Sequence, residues 1–259
     1  MTLRDAFLSQ ARSCEALDSP FMGQLLRLLA RDWPEGSNLG RTCTNWPDDD
    51  IGPSGASLPL RIAGGLHALV LSERALKLAA TYPPNTTDND LLSTTVLAAL
   101  EEHESFLLDW IKSPPQTNEV RRCAPLIATG HWLAGQFELP FMVSELGASA
   151  GLNLNWDQFA LETDAGRLGP TNAPVTLNPV WTGSIPAHKE LAVADRRGVD
   201  LNPLDSKKPD HTLRLLAYLW PDQPHRHALT RAAIAAHDAQ VDQGDAIDWL
   251  ENRLLAIPN

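Results

Sequence analysis

The residues best suited to chemistry lie in one short stretch, Phe141 to Asn155, FMVSELGASAGLNLN. An apolar run ends in an acid, Glu145, passes through small residues and opens a segment with helical spacing, which predicts a strand, a tight loop and a helix. Glycine adopts backbone conformations that other residues avoid, and it leaves room for a ligand beside the main chain. The pattern therefore predicts that the loop amides and the first turn of the helix face a ligand.

Two kinds of site share this sequence pattern. As E-x-G-x-x-x-G, it resembles motif I of Rossmann-like S-adenosylmethionine (SAM) methyltransferases, in which the acid helps hold the methionine ammonium and the loop wraps the carboxypropyl and ribose parts. As G-x-S-x-G, it matches the nucleophile elbow of α/β-hydrolases, with Ser149 as nucleophile. A small-residue turn that packs a helix onto a strand is the structural alternative. The motif alone does not decide among the three.

The composition and net charge limit the kinds of partner that the protein could bind. The net charge of -11 over 259 residues disfavours a nucleic-acid surface, because phosphate binding needs a basic face. No secretory signal or membrane span is visible. The cysteines Cys14, Cys43 and Cys123 are odd in number and far apart, so neither a disulfide framework nor a zinc cluster is indicated. We predict a cytoplasmic protein with a small-molecule or protein partner, no nucleic-acid or membrane partner, and no metal site.

Residues 1–136 are predicted to form a helical N-terminal domain. Apolar residues recur with helical spacing over 2–14, 20–31, 60–80 and 88–111, and Thr2 is predicted to cap the first of these helices. By contrast, 32–59 holds too many Pro, Gly, Asp and Ser residues for regular structure. A further helix runs to about residue 136, with Ser113 or Thr117 as its cap. Its polar start could fold over the ligand, and the alternative is a capped surface helix. The candidate substrate or lid residues are Gln116, Asn118, Glu119 and Arg121.

Residues 137–259 are predicted to form a Rossmann-like half-domain with a flap inserted near 162–186. The predicted strands are 139–146, buried and parallel, then 191–200 and 240–242. The predicted helices are 152–159, 210–220, 222–240 and 246–257. This order is that of a doubly wound sheet, whose ligand lies at the carboxyl ends of the strands.

An acid follows each of the last two strands. Asp200, in GVDLNP, resembles the methyltransferase acid that accepts hydrogen bonds from ribose hydroxyls, a role that suits an acceptor-only carboxylate. Asp245, in GDA, resembles the acid that takes the adenine amino proton, with the next amide meeting a ring nitrogen. As alternatives, Asp200 could cap a turn before Pro203 and Asp245 could cap the last helix. The candidate cofactor-binding residues are Glu145, Gly147, Ala148, Ser149, Gly151, Asp200, Leu201, Asp245 and Ala246.

The hydrolase interpretation has less support in the sequence. A nucleophile elbow normally follows several strands of a sheet, but roughly the first 135 residues have helical patterns. Asp205 with His211 or His225 would complete the order Ser, acid, His. No H-G-G-G oxyanion segment is present.

Five segments together resemble a bacterial family known as domain of unknown function 2332: SPPQTNEVRR, ELGASAGLNL, RRGVDLNPLD, LLAYLWPDQP and QGDAIDWL. The resemblance covers essentially the whole chain. It implies a helical N-terminal domain joined to a SAM-methyltransferase-like Rossmann domain, with no established substrate. Family members usually continue past the last segment into further strands, so we expect a sheet truncated after its third strand.

We therefore predict an α/β protein with a SAM-dependent methyltransferase fold, SAM as its cofactor and an unknown methyl acceptor. The fourth strand of this fold often carries catalytic residues, so the truncated chain could lack activity, and we assign no catalytic residue. A non-catalytic nucleotide-binding or interaction module is the second hypothesis, and a serine hydrolase using Ser149 is the third. One edge of the first strand should lack a partner, and helices of the first domain, a second copy or further chain could cover it.

Overall fold

The computed structural model describes residues 1–255, which form two compact units. The first unit comprises Met1–Gln116 and Leu213–Pro224, and the second comprises Thr117–Thr212 and the chain from His225 onward. The first unit is thus built from two separate segments of the chain. The predicted end of the last helix at Ile257 lies outside the described residues.

The first unit is helical. Its N-terminal segment forms α1 (Leu3–Glu15), α2 (Pro20–Asp32), α3 (Asn38–Thr44), α4 (Leu58–Leu71), α5 (Leu76–Ala79), α6 (Asn89–Glu102) and α7 (Glu104–Trp110). The predicted cap of α1 is confirmed, because the Thr2 hydroxyl accepts the Asp5 N–H. The prediction that 32–59 lacks regular structure was wrong at α3, where Ser37 accepts the Gly40 N–H and Leu39 and Cys43 are buried.

Two of the long helices predicted from periodicity are each divided in the structure. The stretch 60–80 breaks after α4, where Glu73 takes a left-handed φ of 57°. The stretch 88–111 breaks at His103, which leaves the helical conformation between α6 and α7. Periodicity detected the buried faces of these helices but not the single residues at which the chain turns.

The segment from Leu213 to Pro224 completes the core of the first unit. Its residues 215–219 are buried. At its end, Asp222 accepts hydrogen bonds from the Ser19 hydroxyl (2.6 Å) and the Phe21 N–H (2.9 Å), at the start of α2. An acid that satisfies exposed N–H groups at a helix N-terminus stabilises that helix, so this segment is part of the first unit's structure.

The second unit, as far as residue 255, contains six strands. They are β1 (Phe141–Leu146), β2 (Ala160–Thr163), β3 (Gly166–Leu168), β4 (Thr176–Leu177), β5 (Val193–Asp200) and β6 (Gln240–Gln243). The remaining helices are α8 (Cys123–Gln136), α9 (Pro209–Ala217), α10 (Pro224–Ala236) and α11 (Ala246–Leu255), with 3₁₀ segments at Val120–Arg122 and Leu152–Gln158.

Three strands, β1, β5 and β6, form a parallel sheet in the order β1-β5-β6, which confirms the predicted strands and their direction. The prediction that β1 is buried was wrong. Its residues alternate between partly buried and exposed, and Met142 and Leu146 are 42% and 49% exposed. β1 lies at one edge of the described sheet, and Arg253 of α11 donates to the Val143 carbonyl (3.0 Å). Pairing of this edge with a second copy stays a prediction.

The region predicted as a flap forms a small sheet of its own. β2 and β3 make an antiparallel hairpin, β4 pairs with β2 in parallel, and Leu161, Leu168 and Leu177 are buried. The helix predicted for 152–159 is a 3₁₀ segment instead, since Asn155 departs from helical geometry and its side chain donates to Asp238.

Within the described residues, no helix is long and apolar enough to cross a membrane. In the same range, no group of three or more His, Cys, Asp or Glu side chains could hold a metal ion. The three cysteines are free thiols and all are buried.

Candidate functional site

The candidate site lies at the carboxyl ends of the parallel strands. Glu145 is next to last in β1, Asp200 ends β5, and Asp245 follows β6 by two residues. Backbone hydrogen bonds join these ends: Ala148 N–H to the Val199 carbonyl (3.0 Å) and Gly244 N–H to the Asp200 carbonyl (3.1 Å). The parallel strands therefore bring the three acids and the glycine loop, residues 147–151, to one end of a sheet.

Several amides of the glycine loop, and the amide of the residue after it, are hydrogen-bonded within the protein. Ser149 N–H donates to Asp200 Oδ2 (2.8 Å), Leu152 N–H to Asn118 Oδ1 (2.8 Å), and Gly151 N–H to the Ala148 carbonyl (2.7 Å). The prediction that the loop amides face a ligand was therefore wrong for these residues. Ala148, Ser149 and Leu152 are buried, and a buried N–H needs an acceptor wherever the chain provides one.

The two glycines of the motif have different surroundings. Both have a positive φ, +66° at Gly147 and +73° at Gly151. A Cβ built on Gly151 would lie 2.6 Å from Val241 Cγ2, so Gly151 allows the loop to pack on β6. A Cβ on Gly147 would meet nothing within 4 Å. Of these two glycines, only Gly147 therefore has open space beside its main chain, which a ligand could approach.

Glu145 has an incomplete hydrogen-bond environment. Asn153 Nδ2 donates to its Oε1 over 3.4 Å, while its Oε2 is buried and has no hydrogen-bond partner among the described residues. Burial raises the pKa of Glu145 to about 7; Asp200 adds to that rise, and Asn153 and Arg122 oppose it. Near neutral pH this carboxylate is therefore poorly stabilised, and a ligand that donates a hydrogen bond or carries an ammonium group would stabilise it.

The other two acids already have structural roles. Asp200 accepts the N–H groups of Ser149 and Asn202, both at 2.8 Å, which ties the glycine loop to the turn after β5. Asp245 Oδ1 accepts the N–H of Ile247 (2.8 Å), so it caps α11. Leu201 is 66% exposed, and Ala246 is the first residue of α11. The predicted contacts of these residues with ribose and adenine stay predictions.

Ser149 has the backbone of a strained turn, but within the described residues its hydroxyl is not hydrogen-bonded to a base. Its φ is +54°, its side chain is 5% exposed, and its hydroxyl has no hydrogen-bond partner in the described part of the chain. The pair predicted for a triad is oriented differently: His211 Nδ1 accepts the backbone N–H of Asp205 (2.8 Å) rather than donating to its carboxylate. This geometry offers Ser149 no oriented base, which the hydrolase interpretation requires.

Comparison with known proteins identifies the family. A family described as an uncharacterized protein conserved in bacteria (DUF2332) matches residues 4–259. The chain belongs to this family. No curated protein matches the chain, and no solved structure matches it. The family drawn from the five segments is therefore confirmed, whereas the methyltransferase resemblance stays a prediction.

In this DUF2332 chain, one of the predicted lid residues, Asn118, supports the glycine loop. Asn118, which is 5% exposed, accepts the Leu152 N–H. Glu119 accepts the N–H of Arg121 and pairs with the guanidinium groups of Arg121 (2.9 Å) and Arg226 (2.6 Å). Gln116 belongs to the first unit.

Sequence reasoning missed Asn153 and Arg226 in this DUF2332 chain. Asn153 is 5% exposed and is the one side chain that donates to Glu145 among the described residues. Its position eight residues after Glu145, on the segment that follows the loop, was the available signal. Arg226 reaches Glu119 from α10, more than a hundred residues later, and no local pattern predicts that pair.

Proposed function

We propose that the second unit binds SAM at the carboxyl ends of β1, β5 and β6, and that it is related to the SAM-dependent methyltransferases. Three features support this. The parallel strands have the order β1-β5-β6, a glycine loop follows β1, and one acid ends β5 while another follows β6. That order suits one half of a doubly wound, Rossmann-like sheet, which binds its ligand at the strand ends.

The observation that carries the proposal is the buried Glu145 oxygen, which has no hydrogen-bond partner among residues 1–255, two residues before the open main chain of Gly147. A carboxylate that lacks a partner suits an amino-acid ammonium, such as the one that SAM carries. Bound SAM would supply the transferable methyl group. Asp200 and Asp245 already accept backbone bonds, but a carboxylate has about four acceptor positions, so each keeps capacity for a hydroxyl or an amino group.

Isothermal titration calorimetry with SAM and S-adenosylhomocysteine tests the proposal. The wild type should bind both ligands. Glu145→Gln should weaken binding about 10- to 150-fold, since a hydrogen bond to a charged group contributes about 1.5–3 kcal/mol. Glu138→Gln, at an exposed acid of the same unit, is the matched control and should bind like the wild type. A wild type that binds neither ligand would refute the proposal.

The same titration separates the alternatives. Equal affinity for SAM and ATP would favour a non-catalytic nucleotide-binding module, because only the shared adenosine would then be recognised. Production of S-adenosylhomocysteine from SAM in a bacterial extract, lost in Glu145→Gln, would favour the methyltransferase. Labelling by a fluorophosphonate probe that Ser149→Ala abolishes would instead favour the serine hydrolase.

A further inference from the structure

We propose that the first unit contains a second site, which binds a small oxyanion of the carboxylate or phosphate type. Trp110, Arg214 and Tyr218 form this site, and Arg61 lies on its border. We call these four residues the donor cluster. All four belong to the first unit, so the site is independent of the proposed SAM site.

Three hydrogen-bond donors of the donor cluster lack acceptors. Trp110 Nε1, Arg214 Nη1 and the Tyr218 hydroxyl are each buried, and none has a hydrogen-bond partner among the described residues. Trp110 is 5% exposed and Tyr218 is 6% exposed. Buried donors without acceptors are rare in folded proteins, and three from neighbouring side chains point to a missing acceptor.

The three donors belong to side chains in mutual contact. The Arg214 guanidinium lies 4.1 Å above the centre of the Trp110 ring, and the Trp110 and Tyr218 rings are 5.9 Å apart. Burial raises the pKa of Tyr218, whereas the charge of Arg214 and close contacts from Trp110 and Arg214 to the Tyr218 oxygen lower it. The indole N–H and the guanidinium therefore lie beside that oxygen, although none of these contacts has the geometry of a full hydrogen bond. A single small acceptor could therefore reach all three groups.

The charges of the donor cluster are also unbalanced. Arg61 is 8% exposed and donates to three backbone carbonyls, those of Ala56, Ile111 and Lys112. Arg214 rests on the Trp110 ring. Neither arginine forms an ion pair with a carboxylate of the described residues, although both influence the Tyr218 hydroxyl. Arg61 is buried and Arg214 is partly buried. Cations removed from water are normally paired, so the missing acceptor should carry negative charge, which a water molecule does not.

The proposed ligand is small because the donor atoms are almost inaccessible to solvent. An oxyanion suits the donor cluster because a carboxylate or phosphate accepts several hydrogen bonds at once and is the preferred partner of arginine. The helices hold the donors in place. A Cβ on Gly64 of α4 would lie only 2.5 Å from the Tyr218 ring, so that ring packs directly against the backbone of α4.

Nuclear magnetic resonance on ¹⁵N-labelled protein tests the proposal, with the Trp110 indole N–H as the reporter. The Trp110→Phe variant identifies that resonance by its loss. Dialysed wild type is titrated with sodium acetate, sodium phosphate and sodium chloride at equal pH and ionic strength. We expect a saturable change in the chemical shift of the Trp110 indole N–H with acetate, phosphate or both. The salt that causes this change identifies the type of oxyanion. No saturable shift, or an equal shift with chloride, would overturn the proposal.

Variants then test the remaining donors. Tyr218→Phe keeps the ring and removes one donor, so it should weaken binding about tenfold, as should Arg214→Gln, in line with the loss of one hydrogen bond. Arg74→Gln is the matched control, because Arg74 also lies over an aromatic ring, that of Phe106 at 5.2 Å, but is exposed. Unchanged binding in Tyr218→Phe, or equal weakening in Arg74→Gln, would contradict the assignment.

Discussion

The glycine loop and the donor cluster differ in how their hydrogen-bond donors are satisfied. The loop carries a recognisable motif, yet its Ser149 and Gly151 amides already have acceptors within the protein. The donor cluster matches no motif, yet three of its donors have no acceptor among the described residues. The glycine motif therefore indicates a backbone conformation. Buried polar groups without hydrogen-bond partners instead indicate where a bound ligand would stabilise the protein. In the second unit, that criterion selects the Glu145 carboxylate and the Ser149 hydroxyl rather than the loop amides.

The largest effect should come from Gly151→Val. The new side chain would collide with Val241, and the left-handed φ of +73° disfavours a β-branched residue. We expect a loss of about 2–5 kcal/mol in the free energy of unfolding, measured with urea. Gly147→Ala has a similar φ but no neighbour within 4 Å, so it should cost only about 1–2 kcal/mol. Equal losses would show that the two glycines do not differ as described.

Glu145→Gln should stabilise the protein in a pH-dependent way. Burial raises the pKa of Glu145 from 4.5 to about 7, so the folded state holds the proton more tightly than the unfolded chain does. Ionisation of the buried Glu145 carboxylate therefore costs the wild type no stability below about pH 4.5. The cost in free energy of unfolding grows as the pH rises towards 7, and it stays constant above that pH. At pH 8 the variant should be more stable by up to about 3 kcal/mol.

Urea unfolding at pH 4.5 and pH 8 measures this difference, with Glu138→Gln as the exposed control. At pH 4.5 the Glu145 variant and the wild type should agree within about 0.5 kcal/mol. A variant that is less stable than the wild type at pH 8 would mean that Glu145 has a favourable partner in the folded protein.

Asn118→Leu should destabilise the protein by about 1–3 kcal/mol, because the buried Leu152 N–H would lose its acceptor. Chemical denaturation measures the loss. Asn252→Leu is the control, since Asn252 makes its only described hydrogen bond on the exposed face of α11, and it should change stability by less than about 0.5 kcal/mol. A neutral Asn118→Leu would mean that the glycine loop does not depend on this bond.

Tyr218→Phe should have the smallest effect on stability. Its hydroxyl has no partner among the described residues, so its removal should change the free energy of unfolding by less than about 1 kcal/mol, and a gain is consistent with relief of an unpaired group. Thermal unfolding in a buffer without oxyanions gives the comparison. A loss above about 2 kcal/mol would show that the hydroxyl is satisfied within the protein.

Local patterns in the sequence predicted the parallel strands, their order along the chain and the cap at Thr2, because each depends on neighbouring residues. They did not predict contacts between distant residues. The loop amides find acceptors in Asn118 and Asp200, which are 34 and 51 residues from their donors. Arg214 and Tyr218 join Trp110 only because residues 213–224 belong to the first unit. Periodicity says which face of a helix is buried, but not which distant segment covers it.

Amide hydrogen exchange with and without SAM tests the central claim, that the ligand meets Glu145 and Gly147 while the loop amides stay bonded to the protein. Without ligand, the Ser149 and Leu152 amides should exchange slowly, because both are buried and hydrogen-bonded. Saturating SAM should slow exchange at Gly147 and leave those two amides nearly unchanged. Fast exchange of Ser149 and Leu152 without SAM, followed by strong protection when SAM is added, would contradict the account and restore the loop amides as the binding groups.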